Sequence, residues 1–89
     1  MTTSKKQWYE KEILKFKKEI EYLENELKQW NKLKTDFEKD YKNPNLKEYK
    51  GSISVDIAQC KMNIDLKKTQ IKRQTENAMI LKREMNNIK

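Results

Sequence analysis

Apolar and polar residues alternate along the chain with a helical beat of seven. Tyr9, Phe16, Leu23, Trp30 and Phe37 fall at one heptad position. Ile13, Ile20, Leu27, Lys34 and Tyr41 fall four residues later, and only Lys34 breaks the apolar run. Such spacing places the side chains on one stripe of an α-helix, and a stripe of that kind needs a facing surface. The same beat returns after residue 52, with Ile57, Ile64, Ile71, Ala78 and Met85 at one position. Its companion position holds Ile53, Cys60, Lys67, Gln74, Leu81 and Ile88. The pattern predicts an all-α fold: a two-helix antiparallel coiled-coil hairpin, completed into a bundle by self-association or by a partner.

The boundaries come from local chemistry. Ser4 and Gln7 have capping-box spacing, which starts the first helix near residue 5. Asn43 precedes Pro44, and a residue before proline avoids the helical region, so this helix stops near residue 42. Residues 43–52 contain the single proline and the single glycine of the chain, and they are predicted to form the turn. Gly51 is available for a positive φ, and Ser52 or Ser54 for capping, with Asp56 in the first turn of the second helix. That helix is predicted over 53–88, and residues 1–89 form a single domain.

An antiparallel register centred on Lys47 aligns Tyr41 with Ile53, Phe37 with Ile57, Trp30 with Ile64, Leu23 with Ile71, Phe16 with Ala78 and Tyr9 with Met85. Trp30 is the largest side chain on this seam. The same register sets Lys34 opposite Cys60, Leu27 opposite Lys67 and Ile20 opposite Gln74. Glu10, Glu24 and Glu38 lie on one shoulder, facing Lys61, Lys68 and Lys82. Glu12, Glu19, Glu26 and Asp40 lie on the other, which is expected to be acidic and to lack a lysine partner.

Composition sharpens this picture. The chain has 89 residues, 39% of them charged and 35% hydrophobic. That balance suits long amphipathic helices rather than a sizeable globular core. With no histidine, the usual general base, the usual triads and most zinc sites are missing. One glycine excludes Gly-rich phosphate loops, and one cysteine excludes an internal disulfide. Cys60 reads as a small core residue. The chain is expected to be non-enzymatic and to need no cofactor or metal.

Candidate binding residues divide into two sets. Lys67 and Gln74 occupy seam positions opposite Leu27 and Ile20, and a lysine there without a carboxylate is costly. Ile20, Leu27, Lys67 and Gln74 are therefore expected to mark a protein-binding groove, extended by Val55, Met62 and Leu66. The net charge of +7 supplies the alternative. Lys61, Lys68, Lys72 and Arg73 have the spacing to follow a phosphate backbone, which would make the chain a nucleic-acid-binding helical protein. A third reading is a small phage or mobile-element product that blocks a host nucleic-acid-handling enzyme. The expected partner is a protein, a second copy included. No run approaches the length of a membrane span, and no apolar segment follows the basic start. The protein is expected to be made in the cytosol, and any export would use a route without a cleavable signal.

Tyr49-Lys50-Gly51 sits at the bend of the expected hairpin and resembles the Trp-x-Gly tripeptide of small helical-hairpin secretion partners of the type VII pathway. Tyrosine stands where that family has tryptophan. The resemblance implies a hairpin of two similar helices and a role as secretion partner or targeting factor. No Tyr-x-x-x-Asp or Tyr-x-x-x-Glu export signal follows the second helix, so the resemblance further implies that a partner supplies it.

Overall fold

In the computed structural model, described from Thr2 to Ile88, two long α-helices pack antiparallel as a hairpin. Helix α1 spans Thr2–Lys42 and helix α2 spans Lys50–Asn86, with a 3-10 turn at Pro44–Tyr49 between them. Helix α1 is already formed at Thr2, ahead of the expected start at residue 5. The Ser4 side chain of the expected capping box lies outside the described side chains.

The connector is built from side-chain and backbone preferences acting together. Asn43 adopts φ −77° and ψ 117°, the extended region that a residue before proline favours. Its Oδ1 accepts from the Asn45 amide at 3.0 Å. Its amide donates to the Asp40 carbonyl and its carbonyl accepts from the Leu46 amide, each at 3.0 Å. Pro44 opens the 3-10 turn, where a missing N–H costs nothing. Lys39 and Lys42 occupy the last turn of α1 and suit its negative end.

The second helix departs from expectation at its start. It begins at Lys50 rather than Ile53, so Gly51, Ser52 and Ser54 lie inside it. Gly51 has no positive φ, and neither serine is the cap. Asp56 consequently lies beyond the first turn, which contains no acidic residue. The reason is the connector: the 3-10 turn hands its hydrogen bonding directly to α2, the Lys50 amide donating to the Lys47 carbonyl with Lys50 already helical. Tyr41, expected to face Ile53 on the seam, is 40% exposed. The Lys50 ammonium sits 5.1 Å from the centre of its ring instead, a cation–π contact.

The helices divide into two compact units. One joins the described residues up to Glu24 with those from Thr69 onward; the other is Asn25–Lys68. In the first, Ile13 and Leu23 are buried, and Tyr9, Phe16, Ile20, Ile71, Ala78, Leu81 and Met85 are half-buried. In the second, Ile53, Cys60 and Ile64 are buried, with Leu27, Trp30, Phe37 and Ile57 half-buried. Both sets follow the predicted seam. Trp30, for all its size, keeps part of its surface in water, so the packing is concentrated on the smaller Ile53, Cys60 and Ile64.

Register markers agree with the sequence alignment. Phe16 shares a shallow recess with Asn77, Ile80 and Leu81 in the first unit. In the second unit, the Lys34 ammonium is close enough to Cys60 to favour its thiolate.

Candidate functional site

The seam explains Cys60. The side chain is 1% exposed and is a free thiol. Burial pushes its pKa up, the Asp56 carboxylate adds to the rise, and Lys34 opposes both. Near neutral pH, Cys60 is therefore a packed thiol and a poor nucleophile.

The mixed middle of the seam differs from the sequence expectation in one respect. Lys67 has a carboxylate: its Nζ lies 3.0 Å from Glu26 Oε2. The two side chains retain 17% and 25% of their exposure, so the pair is largely shielded from water. The shoulder carrying Glu26 thus does contain a lysine partner, contributed by a seam position of α2. The long lysine stem covers the seam while its head reaches the rim, and this resolves the cost of a lysine at that position. An open groove is not required to accommodate it.

The remaining groove residues are distributed between the units. Leu27 and Lys67 are half-buried in Asn25–Lys68. Ile20 and Gln74 are half-buried in the other unit. There the Gln74 carboxamide oxygen accepts a long bond of 3.5 Å from Asn77 Nδ2. Val55, Met62 and Leu66 are on the outward side of α2, exposed by 56%, 73% and 51%. Met62 and Leu66 line a shallow surface recess with Gln59, Asn63 and Asp65.

Charges on the opposite shoulder are loosely held. Glu38 has an ion-pair partner within α1, with Lys34 Nζ at 3.9 Å. Glu10 and Lys82 border one recess with Ile13, Leu14, Lys17 and Met85, yet form no ion pair among the described residues. Lys61, Lys68, Lys72 and Arg73 are all exposed.

Sequence reasoning missed two features of the surface. One is the Trp8–Tyr9 edge-to-face pair, with ring centroids 5.0 Å apart, beside the exposed Leu14. Consecutive aromatics on adjacent helical faces were the available signal. The other is the Glu26–Lys67 pair, which followed from register once the flexible reach of lysine was allowed for.

Among the described residues, no group of three His, Cys, Asp or Glu side chains is placed to hold a metal ion. No helix of the described residues is long and apolar enough to cross a membrane. What the surface offers is apolar area on helices: Trp8, Leu14, Tyr22, Met79 and Ile80 in one unit, Leu33, Val55, Met62 and Leu66 in the other. No protein family, curated protein or solved structure matches the chain.

Proposed function

We propose that the chain is a non-enzymatic helical interaction protein that receives a protein partner on the apolar residues left outside its seam. The observation carrying this reading is the exposure of Val55, Met62 and Leu66 at helical spacing on α2. Single exposed apolar residues are ordinary, but a regularly spaced set on one helix is a contact surface in waiting. Helix pairs use such stripes to complete a bundle. A photo-crosslinking residue in place of Leu66 is expected to give discrete protein adducts in the native host. Their yield should change little between low and high salt, as apolar contact dictates. Adducts that disappear as salt rises, together with nucleic-acid binding lost on Lys68→Ala and Lys72→Ala, would replace this reading with phosphate contacts at Lys61, Lys68, Lys72 and Arg73.

The finer reading is that the protein serves as a type VII secretion partner or targeting factor. Its support is Tyr49-Lys50-Gly51 at the junction of the 3-10 turn and α2, where Tyr49 is 59% exposed. In a host with that pathway, the protein is expected in the medium only when the secretion machinery is intact and a partner supplies the export signal. Equal release with the machinery deleted would end this finer reading and leave the broader one standing.

A further inference from the structure

The outward face at the start of α2 differs in chemistry from the rest of the surface. From Gly51 to Leu66 the only charged residues are Asp56, Lys61 and Asp65, in a chain where 39% of residues are charged. Gly51, Ser52, Val55, Ala58, Gln59, Met62 and Leu66 are all exposed. The face therefore combines small residues, which allow close backbone approach, with Val55, Met62 and Leu66 as anchors.

Gly51 points the same way independently. Its φ is not positive, and a Cβ built there would meet nothing within 4 Å. Neither the conformation nor the packing of the hairpin requires glycine at this position, and glycine is a poor helix former. A second backbone passing close by would account for it.

We infer that this face binds a second copy of the chain, with two α2 helices packed back to back and antiparallel about a twofold axis. The inference rests on the reading above, that exposed apolar faces receive protein, and it names that protein. Three observations select a second copy. First, an antiparallel register centred between Ala58 and Gln59 sets Val55 against Met62 and Gly51 against Leu66. The stripe is thus self-complementary, small against large, as an isologous contact needs. Second, the chain carries +7, so most of its surfaces repel a second copy. The segment from Gly51 to Leu66 has two acidic residues and one lysine, so two copies meet there without that repulsion. The same lack of positive charge disfavours nucleic acid or an anionic membrane on this face. Third, the chain exposes 7328 Å². A compact monomer of 10.9 kDa would expose about 5,600 Å², so the chain as a whole, rather than this face alone, has surface to spare for a second copy.

Sedimentation equilibrium of the full chain at micromolar concentration, with helicity followed by circular dichroism, tests the inference. The native chain is expected to be a dimer. Met62→Lys and Gly51→Leu should each raise the dimer dissociation constant at least about 30-fold, the effect of losing a hot spot. Met79→Lys changes an exposed methionine, 57% against 73% for Met62, that lies off this face, and it should leave the constant unchanged. Helicity should be retained throughout. Gly51→Leu carries the test if Met62→Lys disturbs folding, because the hairpin leaves that position open. A native chain that stays monomeric overturns the inference, as does a dimer indifferent to both substitutions. A monomer whose Leu66 crosslinks to a different protein also overturns it, while leaving the broader protein-binding reading intact.

Discussion

Ile64→Ala is expected to unfold much of the population, with loss of helical signal at a denaturant concentration far below that of the parent. Ile64 is 6% exposed in the unit that also buries Ile53 and Cys60. Removing a buried isoleucine down to Cβ costs about 2–5 kcal/mol, because the space it leaves is only partly refilled. At roughly 0.05–0.15 kcal/mol per residue, an 89-residue chain has a total stability on the order of 4–13 kcal/mol, and a hairpin with so few buried side chains belongs at the low end. The loss is therefore comparable to the whole. The larger Trp30 is the more obvious target in the sequence, but it is only half-buried and should cost less on truncation. Urea denaturation of both variants at matched protein concentration checks the order. Equal or reversed losses would show that the core is centred on Trp30 instead.

Reversing one member of the Glu26–Lys67 pair is expected to give the second large effect. Glu26→Lys sets two ammonium groups where an ion pair of 3.0 Å now stands. Breaking a fully buried pair costs about 3–5 kcal/mol; with 17% and 25% of the side chains exposed, about 2–3 kcal/mol is the reasonable scale here. The double exchange Glu26→Lys with Lys67→Glu restores opposite charges at the same place and should recover most of the loss. Denaturation midpoints of the four proteins form a double-mutant cycle. A coupling near zero would mean that the pair contributes nothing and that Lys67 is held by its stem alone.

The hairpin was legible because its signals are local or periodic. Leu23, Ile53, Cys60 and Ile64 announce themselves by heptad spacing, and Asn43-Pro44 by the steric rule for a residue before proline. The register was also legible, since a turn of fixed position leaves little freedom to slide, and Lys34 beside Cys60 follows from it. The start of α2 was not. Gly51, Ser52 and Ser54 have strong turn and cap preferences in isolation. A 3-10 turn that hands over to α2 at Lys50 overrides them. Nor was the placement of the Lys67 ammonium legible. A seam position fixes where a lysine stem begins but not which rim its head reaches, and the nearby Glu26 decides that. For the candidate binding residues, spacing alone identified Val55, Met62 and Leu66 as off-seam. It gave no indication that Ile20 and Gln74 would fall in a different compact unit from Leu27 and Lys67.

The connector has a consequence for the order in which the chain folds. Asn43 and the 3-10 turn bring the end of α1 and the start of α2 together across only seven residues, 43–49. Contacts within Asn25–Lys68 therefore close short loops, and those nearest the turn close the shortest. Loop-closure entropy grows with separation, so these contacts form at least cost and earliest. The contacts of Ile13 and Leu23 span longer loops until this nucleus exists, after which each added layer closes only a few further residues. Loop-closure entropy thus favours pairing that spreads from the turn, with the segment bearing Gly51, Val55, Met62 and Leu66 expected to form early. A second copy meeting that face would encounter it before the far ends of the helices had paired.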